Sequence, residues 1–317
     1  MDDSLSAFEL PRAMVAPALA LFRTFNTAVD ALFYDVPTLV KDLRALGSAV
    51  DTEGGAAAAL GHLDLSALSN PEGALLVVDA AAAPYIQAFA EVEPFLAWLP
   101  TSGPALETVS ITGVGSSALG SAALAWDLSK ALKAPVLAIV PGYGLADAVL
   151  QGMGGWFGFG LHDALGTKAR VQDALALAAP ELAKVGRRLS ATAPGAKPVV
   201  TGGPVFRTGS GSSDVLHDLL LSPRMTIRRL VGHSKGALAI GNALGSLDAA
   251  VVEGLTVVTL GCPIAEAFEG VAYHQYLGVF DALGQANAWG HPPDTWTATD
   301  HSTNPAFALS MDAGKLV

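Results

Sequence analysis

Five residues, Gly232-His233-Ser234-Lys235-Gly236, carry the densest chemical signal in this 317-residue chain. A serine hydroxyl is a poor nucleophile until a base takes its proton, and it must stand clear of the backbone for that base to reach it. A β-like run at 226–231 ends just before the motif, and a helix-like run at 237–244 follows it. Strand, G-x-S-x-G, helix is the order of a nucleophile elbow. The turn is so sharp that side chains two positions either side of the serine would collide, so glycine is required at 232 and 236. The hydroxyl then projects near the start of the following helix, where N–H groups and the helix dipole favour a developing oxyanion. Lys235 supplies one such backbone N–H. A second donor is expected in a loop after an earlier strand. Pro141-Gly142-Tyr143-Gly144 follows the run 136–140, so Gly142 and Tyr143 are candidates, beside the plainer reading of a Gly/Pro turn.

The elbow and its flanks resemble the α/β-hydrolase superfamily, and within it the lipase and esterase type with a Gly-His-Ser-x-Gly motif. The resemblance is clearest over residues 226–305, extends to 74–160 and does not include the first fifty. It implies a doubly wound, mostly parallel sheet and a triad in the order serine, acid, histidine. Asp281, directly after the apolar run 276–280, stands where the family places its acid; Glu266, Glu269, Asp294 and Asp300 compete with it. His301, in Asp300-His301-Ser302-Thr303-Asn304-Pro305 ahead of the helix-like 306–309, matches the family's histidine better than His291 or the earlier His274. His233 matches a residue that usually packs structurally in such lipases. Lys235 departs from the small or apolar residue usual there. The implied chemistry is ester cleavage through an acyl-enzyme, with no metal and no diffusible cofactor. Acyl transfer or thioester cleavage would use the same triad. A non-catalytic relative that binds a lipid or polymer surface is the reading from another class.

One further glycine cluster needs weighing. Gly113-Val114-Gly115-Ser116-Ser117-Ala118 fits a relaxed dinucleotide fingerprint between strand-like and helix-like runs. That fingerprint wants an acid at the end of the next strand, and Ile139-Val140-Pro141 has none. A structural βα turn is the better reading. Cys262, the single cysteine, reads as a small core residue rather than a nucleophile, and it rules out an intramolecular disulfide.

These residues need a scaffold. Apolar β-like runs at 74–78, 108–112, 136–140, 198–200, 226–231, 255–260 and 276–280 alternate with helical stretches, as in a parallel sheet covered on both faces. The expected organisation is an N-terminal helical segment at 1–50 packed on one α/β domain at 51–317. Within that domain, 160–193 is a candidate helical cap over the sheet. The Gly/aromatic stretch 152–160 and a mobile loop at 209–213 could border a pocket or be plain connections. Composition agrees: 51% of residues are hydrophobic and 15% charged, which excludes disorder. A net charge of −11 argues against nucleic acid, whose phosphates need clustered cations. The apolar stretch 73–90 is interrupted by Asp79 and Pro84, too soon for a bilayer span. Met1-Asp2-Asp3 lacks the basic start of a secretory signal, so a cytoplasmic protein is expected. The N-terminal helices could instead offer an apolar face to a lipid or polymer surface.

Overall fold

The computed structural model describes residues 25–49, 72–113, 115–141, 149–150, 153–154, 158, 167–179, 211–265, 267–288 and 290–317. Eight strands form one sheet: β1 (Leu75–Val78), β2 (Ile86–Phe89), β3 (Thr108–Ile111), β4 (Val136–Ile139), β5 (Arg229–His233), β6 (Thr256–Leu260), β7 (Ala272–Gly278) and β8 (Thr295–Thr297). They lie in the order β2-β1-β4-β3-β5-β6-β7-β8. From β4 through β8 every pairing is parallel, while β1 runs antiparallel to both β2 and β4. The fold is therefore α/β, with a mostly parallel sheet.

Side-chain alternation along the strands explains why both faces need cover. Leu76, Val78, Val136, Ala138 and Val231 point to one face, and Leu75, Val77, Leu137, Ile139 and Leu230 to the other. The first face is covered by helix α1 (residues 25–33), α2 (Val36–Ala49) and α3 (Ala118–Leu132), together with the short C-terminal α4 (Ala313–Leu316). Trp126 of α3 is buried there, its indole N–H donating to Asp42 at 3.0 Å. The second face is covered by α5 (Val92–Ser102), α6 (Gly211–Leu221) and α7 (Lys235–Leu244). Strands buried on both sides absorb much of the chain's apolar content.

β3 and β5 are neighbours, yet α3 leaves β3 for one face and α7 leaves β5 for the other. Loops diverging from adjacent parallel strands open a crevice at their carboxyl ends, which is where open α/β sheets bind ligands.

Several local expectations change. The stretch 73–90 forms the β1–β2 hairpin, and no helix among the described residues is long and apolar enough to cross a membrane. The strand expected at 226–231 begins only at Arg229, and that expected at 276–280 begins at Ala272 and ends at Gly278. β2 and β8, short edge-side strands, were not anticipated. Residues 306–309 form turns rather than a helix. In the supposed mobile loop, Gly211, Ser212 and Ser213 are the buried first turn of α6, where the Ser213 hydroxyl donates to the Ala239 carbonyl at 3.0 Å. The run 198–200 lies outside the described residues, as do most of 152–160 and all of 160–193 except α8 (Thr167–Ala178) and Ala179.

Candidate active site

Ser234 sits between β5 and α7 with φ 55° and ψ −128°, a left-handed conformation that a non-glycine residue adopts only under constraint. The constraint is visible at both flanking glycines. A Cβ on Gly232 would lie 2.6 Å from the Ala237 backbone, and one on Gly236 would overlap the carbonyl of Ile111 on β3. The Ser234 N–H donates to the Leu260 carbonyl at 2.8 Å, tying the elbow to the end of β6.

Three side chains from separate loops meet here. The Ser234 hydroxyl lies 2.9 Å from Nε2 of His301, and Nδ1 of His301 lies 2.8 Å from each carboxylate oxygen of Asp281. With Nδ1–H donating to the carboxylate, Nε2 is the lone-pair nitrogen that faces the hydroxyl. Asp281 follows β7 and is 1% exposed. Its Oδ1 also accepts the Gly284 N–H and so caps the helix at Ala282–Asn287. The loops after β7 and β8 are stitched together by Val279 N–H to the Thr297 carbonyl and Phe280 N–H to the Thr299 carbonyl. The competing groups are elsewhere: Asp294 accepts the Gln275 N–H, Asp300 accepts the Ser302 N–H, and His274 and Glu269 are exposed. Glu266 lies outside the described residues, and His291 is half-buried in the turn after that helix.

His233 has a positioning part in this network. The Gly113 N–H donates to the Tyr34 hydroxyl at 2.7 Å, and that hydroxyl donates to Nδ1 of His233 at 2.8 Å. Nε2–H of His233 then donates to the main-chain carbonyl of His301 at 2.9 Å. Burial, with the nearby His301 adding to it, pushes His233 down to about 3, so it remains neutral. Burial likewise drives Tyr34 far above the usual phenol range, which keeps its proton in place. One neutral chain thus links the β3 loop, α1, the elbow and the His301 loop.

Sequence reasoning missed α1 as a wall of the site. Asn26, Val29, Asp30, Phe33 and Tyr34 all line an open cleft whose lining also includes Ser234 and His301. The opposite side of the cleft is the β3–α3 loop, with Gly113, Gly115 and Ser116. The glycine cluster set aside as a structural turn therefore borders the cavity. Asp30 binds α1 to that loop: Oδ1 accepts the Ser116 hydroxyl, and Oδ2 accepts the Ser117 N–H and hydroxyl and the Gly120 N–H. Burial outweighs these bonds and raises Asp30 to about 7.

The far end of α1 is fastened to the histidine loop. Asn304 Nδ2 donates to the Ala31 carbonyl, Ser302 to that of Leu32 and Thr303 to that of Phe33, each at 2.7 Å. These side chains satisfy carbonyls that a helix end leaves unpaired. The signal in the sequence was a polar stripe at i, i+4 and i+8, formed by Asn26, Asp30 and Tyr34. Phe25 and Leu32 of α1 face outward. Lys235 is only 4% exposed, despite its charge. Gly142 and Tyr143 lie outside the described residues. Among the described residues, no cluster of three His, Cys, Asp or Glu could hold a metal ion. No protein-family model, curated protein or solved structure matches the chain.

Proposed function

We propose that the protein is a serine hydrolase of the α/β-hydrolase type, cleaving a carboxylic ester through an acyl-enzyme on Ser234. The observation that carries this reading is the continuous hydrogen-bonded line from the Ser234 hydroxyl through His301 to Asp281. His301 Nε2 takes the serine proton as Oγ attacks the ester carbonyl, and Asp281 holds the imidazole and stabilises its charged form. The tetrahedral intermediate collapses, His301 gives the proton to the leaving alkoxide, and the alcohol departs. Water then repeats the cycle on the acyl-enzyme and releases the acid.

The oxyanion would receive the Lys235 N–H at the start of α7. For the second donor, the β3–α3 loop fits better than Gly142 and Tyr143. β3 adjoins β5, whereas β4 stands one strand further away, on the order of 10 Å from the elbow. The Gly113 N–H is committed to Tyr34, so this donor comes from later in the loop. Val29, Phe33 and Leu283 give the cleft apolar surface suited to an acyl chain.

A fluorophosphonate probe, with the adduct mapped by peptide mass, tests the reading. Modification at Ser234, abolished by Ser234→Ala, is expected. An intact protein carrying no adduct there would overturn it.

A further inference from the structure

The cleft contains a polar side chain that the proposed hydrolysis does not use. Asn26 is 2% exposed, and neither its Nδ2 nor its Oδ1 has a hydrogen-bond partner. A carboxamide buried with both halves unpaired is costly, and native interiors rarely tolerate one without a reason. Here the side chain borders the cavity that holds Ser234 and His301.

Its position on α1 sets a direction. Asn26, Val29, Asp30 and Phe33 recur at i, i+3, i+4 and i+7, so they share the helix face that lines the cleft. Phe33 marks the reactive end, its ring edge-on to His301 with centroids 5.8 Å apart. Asn26 lies two turns earlier, about 10 Å along the helix axis. Val29 stands between them, and the Asp30 carboxylate is already bonded to Ser116, Ser117 and Gly120. The cleft is thus an apolar slot with one uncommitted carboxamide remote from the histidine.

We propose that Asn26 is a specificity-determining residue, selecting an acyl group that carries a hydroxyl or amide well away from its carbonyl. The proposal rests on the hydrolase reading of Ser234. A carboxamide presents both N–H donors and an acceptor oxygen, and a hydroxyl or amide is the neutral group that answers both kinds. An anionic substituent would find no lysine or arginine among the lining residues to pair with. The group belongs to the acyl part because the leaving alcohol must escape while the enzyme is acylated, and a deep anchor would retain it. A plain alkyl chain filling the slot would leave Asn26 unpaired, so it is the disfavoured substrate.

The experiment compares nitrophenyl octanoate with its 2-hydroxy and ω-hydroxy derivatives and with an isosteric ester bearing an amide in mid-chain. The full-length protein and Asn26→Leu are assayed, with fluorophosphonate labelling of Ser234 measured in parallel. For the wild-type protein, kcat/KM for at least one ester with a remote polar group should exceed that for octanoate and 2-hydroxyoctanoate by about tenfold or more. Asn26→Leu should bring these within about twofold of one another by lowering kcat/KM for the esters with a remote polar group, and a cooperative thermal transition shows that the variant is folded. A wild-type enzyme that is labelled at Ser234 yet shows no such preference would overturn the role of Asn26. So would a preference that survives in Asn26→Leu. Failure of Ser234 to label in the folded wild-type protein would instead remove the hydrolase reading beneath it.

Discussion

The two walls of the cleft are built on different principles. The elbow wall, from β5 to α7, depends on steric limits so narrow that only glycine fits at positions 232 and 236. The α1 wall depends on a helix face of ordinary residues, held by the Asp30 bonds at its middle and the Ser302-Thr303-Asn304 caps at its end. A backbone that must pass within van der Waals contact of its neighbour restricts residue type and spacing, and so leaves a mark in the sequence. A helix that lends one face to a cavity restricts little beyond periodicity. Chemistry can therefore sit in plain view on one wall and be anonymous on the other.

Substitutions at the elbow wall and in the two side chains that engage its serine should have the largest effects. Removing the proposed nucleophile or base, by Ser234→Ala or His301→Ala, should lower kcat for a nitrophenyl ester by about 10⁴-fold or more, with thermal stability little changed. Asp281→Asn should cost about 10³- to 10⁴-fold, because the amide cannot hold the required imidazole tautomer. Comparable kcat in any of the three would remove the asymmetry between the walls. Gly236→Ala comes next, measured as stability. Its new methyl group would press on the Ile111 carbonyl, and either β3 or the elbow must move. A loss of about 3 kcal/mol or more is expected in urea unfolding, or failure to accumulate as folded protein. A neutral result would show that the elbow is less confined than its geometry indicates.

The same contrast accounts for what could be read in advance. Alternating apolar runs disclosed the central strands because those strands are buried on both faces. The motif then located Ser234, and family order pointed to Asp281 and His301. β2 and β8 escaped notice because short strands near the sheet edges carry little of that pattern: Ile86–Phe89 is only partly buried, and Thr295–Thr297 is largely exposed. α1 was legible as a helix but not as a wall, since its partners lie far along the chain, at Ser116, Ser117 and Ser302 to Asn304. In the sequence the glycines at 113 and 115 read as structural, because their place beside the cleft follows from β3 lying beside β5, a pairing that local sequence does not encode.

Tyr34→Phe probes the joint between the walls. It removes a hydroxyl that accepts the Gly113 N–H and donates to Nδ1 of His233, both buried. Leaving these groups unpaired should cost about 2 kcal/mol, a fall of about 3 °C in Tm for a chain of this length. It should also reduce kcat more than it changes KM, because both the β3 loop and the His301 carbonyl lose their common tether. An unaltered kcat would mean that the tether serves folding alone.

The effect most specific to the α1 wall concerns Asp30. Burial raises its carboxyl from an unfolded value of 3.8 to about 7, so between these pH values the native state holds a proton that the unfolded chain has released. Stability contributed by this group is accordingly greatest below about pH 4, declines as pH rises toward 7, and levels off above it. The groups facing the carboxylate are Ser116, Ser117, the Gly120 N–H and the neutral Tyr34. None supplies a positive charge to reverse the sign. Asp30→Asn keeps an oxygen for the α3 bonds and eliminates the titration. Its Tm should therefore gain on the wild type by a few degrees as calorimetry moves from acid to mildly alkaline buffer. A gap that narrows instead would show that the four hydrogen bonds outweigh burial and that Asp30 is ionised throughout. The α1 wall would then be held by a capping charge rather than by a neutral carboxyl, and would resemble the elbow wall in tolerating no change.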